Sequence, residues 1–167
     1  MLEFQPDAER IFARQEAWWR GEPLHPLNLS IAAPRKDFVP RHIPKPATLE
    51  EQWTNIDYAL ERQFAYHLEA TVFLGDALPR LRVGLGPNFI TATLGCPLHF
   101  LPDTTWTSPL IADWETFEGF PDYHDNRWYK LSLEMMERSA EAARGRCVVL
   151  LPDLHPGGDG VASLRGN

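Results

Sequence analysis

The stretch from Arg146 to Asn167, RCVVLLPDLHPGGDGVASLRGN, decides the fold class of this chain. It reads as an apolar strand from Cys147 to Leu151, then a loop that holds two acids and a histidine, then the start of a helix. A strand that is apolar at every position is typical of a parallel sheet with helices on both faces. The stretch therefore predicts an α/β fold with parallel strands.

The rest of the chain alternates strands and helices in the same way, which is the pattern of an α/β fold. Caps, terminal glycines and apolar spacings of three and four predict helices at Asp7 to Arg20, from Thr48 for about 20 residues and at Asn88 to Gly95. They also predict a last helix that is capped by Asp125 or Asn126 and ends at Gly145. Strands are predicted at Leu27 to Ile31 and Leu78 to Leu85, with an extended excursion from Leu98 to Ile111. A closed barrel of this type needs roughly 200 to 250 residues, and the chain has 167. We therefore expect a smaller open sheet or a partial (β/α)8 TIM barrel with N-terminal helices.

The composition is that of an ordinary globular chain and argues against several function classes. The net charge is −7 and the pI is near 5.3, whereas nucleic acid or an anionic membrane requires clustered Lys and Arg. No apolar run approaches the roughly 18 residues of a membrane span, and the acidic start lacks the pattern of a secretion signal. Only two cysteines are present, far apart, so a disulfide framework is not expected. We expect a cytoplasmic protein.

Polar residues follow the last predicted strand, and the carboxyl ends of parallel strands are where such folds bind ligands. Asp153, His155 and Asp159 lie there among glycines that leave the backbone open. The Asp-x-His spacing lets a carboxylate orient an imidazole for proton transfer, and both groups are also metal ligands. The alternative is a glycine-rich turn in which Asp159 caps the next helix. Asp153 and His155 are the candidate catalytic residues, and Asp159 is a candidate substrate-binding residue.

Two other predicted strands are also followed by candidate residues. Arg35 and Lys36 follow the first strand and suit a substrate rich in carboxylates, although solvated surface charge explains them equally well. Gly86 and Asn88 follow the second strand, where the backbone itself can face a ligand, although a tight strand-to-helix turn is the simpler explanation. Arg35, Gly86 and Asn88 are therefore candidate substrate-binding residues.

Signals for a cofactor or a metal are weak. The six histidines are dispersed, and the two cysteines are not at zinc-ligand spacing from each other. The phosphate-binding loop, the nucleophile elbow and the dinucleotide fingerprint are absent from the sequence. We therefore expect neither a cofactor nor a metal.

Several of these stretches support a comparison with a known family. The run from FLGDA at residues 73–77 to LGCPLHFLP at residues 94–102 resembles the first barrel strand, short helix and following extension of the uroporphyrinogen decarboxylase family, in its divergent decarboxylase-like branch. Pro26 to Arg35 resembles the family's N-terminal arginine segment, and Val148 to Gly166 resembles its second barrel strand and loop. The resemblance implies the N-terminal portion of one barrel domain, with a helical and strand segment over 1–70 and the first βα units over 71–167.

The resemblance also implies a ligand and a site. The family binds a tetrapyrrole that bears many carboxylates and decarboxylates its acetate side chains without a cofactor. Arg35 matches the second arginine of the family's N-terminal motif, whereas Ile31 stands at the first. Gly86 stands where the family places an aspartate beneath the pyrrole nitrogens. Because that buried anion stabilises the developing positive charge, we expect weak or no decarboxylase activity from this chain.

Two other functions are alternatives to a decarboxylase-like protein. Relatives of the same fold are corrinoid (cobalamin)-dependent methyltransferases that use zinc, and a non-catalytic binding or assembly domain is a third reading. The expected partner is a carboxylated small-molecule substrate, with no nucleic acid and no membrane. A partial barrel leaves an open sheet edge, so we also expect a homo-oligomer or a partner chain that completes it.

Overall fold

The computed structural model describes residues 1–23, 25, 27–154 and 157–166 and has a mixed α/β architecture. Its helices are α1 (Ala8–Trp19), α2 (Leu49–Thr54), α3 (Ile56–Gln63, continued by a π-helical turn at Phe64–Leu68), α4 (Phe89–Thr93), α5 (Arg127–Ala143) and α6 (Gly158–Arg165), with a 3-10 turn at Tyr123–Asp125. Its strands are β1 (Ser30–Pro34), β2 (Thr71–Gly75), β3 (Arg80–Leu81), β4 (Leu98–Phe100), β5 (Thr105–Thr107) and β6 (Val148–Val149). The prediction of a mixed α/β chain is confirmed. None of the described helices combines the length and the apolar character needed to cross a bilayer.

The described strands form three two-stranded sheets, β1 with β2, β3 with β6, and β4 with β5, and no closed barrel is present among them. β3 and β6 are parallel, with Arg80 opposite Val148 and Leu81 opposite Val149. This pairing agrees with the parallel strands that the apolar run from Cys147 to Leu151 predicts. The β4–β5 hairpin is antiparallel and occupies the predicted extended excursion.

Both parallel strands are shorter than the sequence predicts. Leu81, Val83 and Leu85 are all buried, as their alternation predicts. The ladder nevertheless ends after Leu81, and the backbone has a positive φ of 80° at Gly86. Burial therefore continues beyond the hydrogen-bonded strand, because packing requires an apolar side chain but not a ladder partner.

β2 is an element that the sequence pattern does not predict. It pairs antiparallel with β1, with Ile31 opposite Leu74 and Ala33 opposite Val72. Most residues of both strands are exposed. β1 overlaps the strand predicted at Leu27 to Ile31 only at Ser30 and Ile31. The two segments are distant in the sequence, and each is a strand because it hydrogen-bonds to the other.

The long helix predicted from Thr48 is two helices. Its capping box is present, because Thr48 Oγ1 accepts from the Glu51 N–H at 3.1 Å while the Glu51 carboxylate accepts from the Thr48 N–H at 3.0 Å. Asn55 is extended, and its side-chain oxygen accepts from the Tyr58 N–H at 3.0 Å. The asparagine therefore caps α3, since its side chain competes for backbone donors that a continuous helix would use.

The structure divides into two compact units. Unit 1 comprises Met1–Ile43, Leu60–Leu81 and Ser139–Leu150, and unit 2 comprises Pro44–Ala59, Arg82–Arg138 and Leu151–Asn167. The β1–β2 and β3–β6 sheets belong to unit 1, and the β4–β5 hairpin, α4 and α6 belong to unit 2. The single domain and the boundary at residue 70 stay predictions.

A buried carboxylate ties α1 to the β1–β2 ribbon in unit 1. The Asp76 side chain is 5% exposed and accepts from Arg14 Nε at 2.8 Å, from Arg10 Nη1 at 3.2 Å and from the Leu29 N–H at 3.2 Å. The hydrogen bond from Arg14 is the main cause that holds the pKa of Asp76 below its usual value, against the opposing effect of burial. One side chain therefore joins the N-terminal helix to the segments that flank both strands.

Replacing Asp76 with alanine should destabilise the protein, because it leaves the guanidinium of Arg14, which is 16% exposed, without its main partner. We expect the free energy of unfolding in urea to fall by about 2 kcal/mol. Asp57→Ala is the matched control, since it removes a carboxylate from an exposed pair with Arg138 and should cost less than about 1 kcal/mol. Equal losses in the two variants would contradict a structural role for Asp76.

Acid should weaken the same interaction. Because the folded-state pKa of Asp76 lies below the ordinary value of 3.8, its contribution is fully present above the unfolded-state pKa and is lost as the pH falls through the folded-state pKa. The stability difference between wild type and Asp76→Ala should be constant near neutral pH and shrink below about pH 4. A difference that stays constant through the acid range would show that the carboxylate charge is not what stabilises unit 1.

Candidate functional site

A cleft of about 310 Å³ lies between α4 and α6 in unit 2. Two of the predicted substrate-binding residues, Asn88 and Asp159, line it. The other lining residues are small, apolar or hydroxyl-bearing: Pro87, Ile90, Thr91, Gly160, Ala162 and Ser163. One group of these residues follows β3 along the chain and the other follows β6. The volume is at the lower end of the range for small-molecule pockets.

A short hydrogen-bond network positions the polar groups of the cleft. Asn88 Nδ2 donates to Ser163 Oγ at 3.0 Å. Since Ser163 Oγ already accepts this hydrogen bond, the Ser163 O–H is able to donate one to a ligand. Thr91 Oγ1 donates to the Asn88 carbonyl at 3.1 Å and lies 3.1 Å from Thr107 Oγ1. Among the described lining residues only Asp159 carries a charge, so the cleft offers amide and hydroxyl groups beside one carboxylate.

Asp153, a predicted catalytic residue, is ion-paired in unit 2. Its Oδ2 lies 2.8 Å from Arg82 Nη2, and the two side chains are 27% and 60% exposed. The sequence pattern places Arg82 on the polar face of its strand but does not connect it to Asp153. His155 lies outside the described residues, so the catalytic pair of Asp153 and His155 stays a prediction.

Arg35 belongs to unit 1, whereas the other described candidates belong to unit 2. It is exposed and follows β1, and its backbone N–H donates to the Ala70 carbonyl at 2.7 Å. This bond holds the residue at the end of the β1–β2 ribbon. Its participation in one site with Asn88 and Asp159 stays a prediction.

Gly86 has a structural reason to be glycine. Its φ is +80°, and a Cβ at this position would lie 2.4 Å from Thr105 Oγ1. That hydroxyl donates to the Leu85 carbonyl at 2.7 Å, which brings β5 against the turn. The turn and the close approach of β5 therefore account for the residue, and Gly86 is not among the lining residues of the cleft.

Two residues of the cleft, Thr91 and Ser163, are not predicted by the sequence patterns above. Ser163 lies four residues after Asp159, which places both on one face of α6. Extending the predicted C-terminal helix by one turn would have identified it. Thr91 has no comparable signal, because its role depends on a hydrogen bond to Thr107 in a different element.

The cysteines and the metal-binding side chains form no centre in the part of the chain that the structure describes. No group of three or more His, Cys, Asp or Glu residues is placed there to hold a metal ion. Cys96 and Cys147 are buried free thiols, and burial raises the pKa of Cys147 to about 11. Because the thiolate is the reactive form, Cys147 is a poor nucleophile at neutral pH.

Comparisons of the chain with protein-family models, with curated proteins and with solved structures find no match. Membership of the uroporphyrinogen decarboxylase family stays a prediction from the sequence resemblance.

The conformation of Gly86 can be tested by substitution. Gly86→Ala should lower the free energy of unfolding by about 2 kcal/mol, because a side chain at positive φ is strained and its Cβ would collide with Thr105. Gly84→Ala is the control, since a Cβ there meets nothing within 4 Å, and should change stability by less than about 0.5 kcal/mol. Similar urea midpoints for both variants would contradict the close approach of β5.

Proposed function

We propose that the chain is the N-terminal portion of a uroporphyrinogen decarboxylase-like TIM barrel that binds a carboxylated, tetrapyrrole-like small molecule in the cytoplasm. The parallel pairing of β3 with β6 supports a partial barrel, because α5 lies between the two strands along the chain as in a βα unit. The β4–β5 hairpin is then an insertion between the first strand and its helix, and such insertions commonly shape binding sites.

The cleft in unit 2 is the observation that carries the ligand-binding proposal. Its residues come from the two segments that follow β3 and β6, and parallel α/β folds bind ligands with the segments that follow their strands. The sequence alone predicts Asn88 and Asp159 as binding residues on that ground, and they line one cleft. Turn formation alone accounts for the glycines nearby but does not require the two residues to share a cavity.

The chemistry of the cleft suits one arm of a larger ligand. A volume of about 310 Å³ accommodates a single ring with its substituents and not a complete tetrapyrrole. The Ser163 O–H can donate to a ligand carboxylate, with Asn88 fixing the orientation of the hydroxyl. Asp159 repels a second carboxylate on its own side of the cleft, so the acid groups of the ligand would face Ser163. Arg35, in unit 1, is a separate candidate for binding a carboxylate by bidentate pairing.

Decarboxylation by this chain is proposed to be weak or absent. The family's aspartate is replaced by Gly86, whose conformation and contact with Thr105 leave no room for an acidic side chain. The developing positive charge on the ligand would therefore lack its main anion. Asp153 and His155 are the proposed proton-transfer pair, and Asp153 forms a salt bridge with Arg82.

Binding can be measured by titrating the purified chain with uroporphyrin and following porphyrin fluorescence. Ser163→Ala should weaken binding about tenfold, because a hydrogen bond to a charged group is lost. Ser108→Ala is the matched control outside the cleft and should bind like wild type. In the same titration Arg35→Gln should weaken binding, and Arg41→Gln, another exposed arginine of unit 1, should not. No saturable binding by wild type, or equal affinity for wild type and Ser163→Ala, would overturn the proposal.

A second candidate function, an assembly domain completed by another chain, is favoured by one observation. Among the described residues no third strand pairs with β3 or β6, and Leu151, which follows β6, is 72% exposed. Open strand edges beside exposed apolar side chains favour association. A second copy or a partner chain that continues the sheet would cover both.

The assembly hypothesis predicts a solution mass above the 19.1 kDa of one chain, measured by light scattering after gel filtration. Leu151→Lys should shift the mass toward the monomer, because it places a charge where the next strand would pack. Leu133→Lys, at an exposed leucine of α5, should leave the mass unchanged. A monodisperse wild-type monomer at every concentration would contradict self-assembly.

A further inference from the structure

Charge is strongly segregated along the sequence of unit 2. No lysine or arginine lies between Arg82 and Arg127, whereas six acids do: Asp103, Asp113, Glu115, Glu118, Asp122 and Asp125. Asp122 pairs with His124, and Asp125 pairs with Lys130. The other four have no salt bridge to a described residue. This part of the surface is therefore negative without local compensation.

Three of these uncompensated acids alternate along the sequence with the rings of an aromatic cluster. Residues 111–121, which we call the acidic aromatic segment, contain Trp114, Phe117 and Phe120. The ring centroids of Trp114 and Phe117 are 6.2 Å apart, and those of Phe117 and Phe120 are 4.9 Å apart, both in edge-to-face geometry. Asp113, Glu115 and Glu118 alternate with these rings along the segment.

The aromatic cluster is anchored and at the same time exposed. Phe117 packs against the buried side chains of Cys96, Ile111 and Leu164. The outer rings remain in solvent, with Trp114 51% exposed and Phe120 45% exposed. An aromatic surface that is held in place loses little conformational entropy on binding, which is typical of contact residues in protein interfaces.

We propose that the acidic aromatic segment binds an arginine-bearing segment of a partner protein. The guanidinium group stacks on aromatic faces and pairs with carboxylates in a bidentate way, so it uses both properties of the segment. Lysine would use the charge but stack less well, because its ammonium group is compact and strongly hydrated.

The charge of the segment disfavours the other occupants. A nucleic acid or an anionic membrane would be repelled, since both need clustered cations. Two copies of this chain meeting at the same face would oppose like charges across the interface, and each chain already carries a net charge of −7. A cationic peptide is the occupant that the charges attract.

The test is a binding titration between the full chain and a dye-labelled peptide of alternating glycine and arginine. Binding is monitored through the fluorescence anisotropy of the dye. Matched peptides carry lysine or neutral citrulline in place of arginine. We expect the arginine peptide to bind about threefold tighter than the lysine peptide, with affinity falling as salt rises, and the citrulline peptide to show no saturable binding.

Two variants locate the site. Trp114→Ala should weaken binding of the arginine peptide about fivefold, whereas Trp19→Ala, at a 78% exposed tryptophan of unit 1, should leave it unchanged. The double variant Glu115→Gln with Glu118→Gln keeps the aromatic rings and should reduce both the affinity and its salt dependence. Equal affinity for the arginine and lysine peptides, equal effects of the two tryptophan variants, or no saturable binding by wild type would overturn the proposal.

Discussion

The parallel pairing of β3 with β6 is the constraint from which both chain segments of the candidate site start. The Val148 N–H donates to the Pro79 carbonyl at 3.0 Å and the Leu150 N–H donates to the Leu81 carbonyl at 2.9 Å, so segments distant in the sequence run side by side. The segments that leave the strands then meet again through the Arg82–Asp153 ion pair and the hydrogen bond from Asn88 to Ser163. Two strands can pair in either direction, but only parallel pairing makes both chains leave the sheet at the same end.

Carboxylates have two different roles in this chain, and the role depends on whether a buried carboxylate pairs with arginine or an exposed one is left without a salt bridge. Asp76 is buried and is satisfied by Arg10, Arg14 and a backbone N–H, so it contributes to the stability of unit 1. Glu115 and Glu118 are exposed and have no salt bridge to a described residue, so they contribute little to stability and leave a field that acts on other molecules. Asp76 therefore stabilises the fold, whereas Glu115 and Glu118 are free to take part in recognition of another molecule.

The elements that the sequence predicts best are those with local causes. The capping box at Thr48 is present, and of the two predicted caps of α5 it is Asn126 whose side-chain oxygen accepts from the Trp128 N–H. Helix α1 begins after Asp7 as predicted, although the Asp7 side chain makes no capping hydrogen bond. The failures have non-local or competing causes. The β2 strand depends on a partner far along the chain, and the break at Asn55 depends on a side chain that caps a second helix within a pattern that is continuously apolar on one face. Asn88 and Asp159 were found because both follow predicted strands, whereas Thr91 was missed because its position is set by Thr107.

The sequence by itself determined the mixed α/β class, the apolar face of residues 81 to 85, the starts of α1, α2 and α5 and the acidic character of the region between Arg82 and Arg127, since each of these follows from residues that are neighbours in the chain. Only the tertiary structure decided that Arg82 pairs with Asp153, that the approach of Thr105 requires glycine at position 86, and that Asn88 and Ser163 line one cleft. These contacts join residues that are remote in the sequence, and no periodicity or spacing encodes them. They form because burying the apolar faces of separate elements brings particular polar side chains within hydrogen-bonding distance.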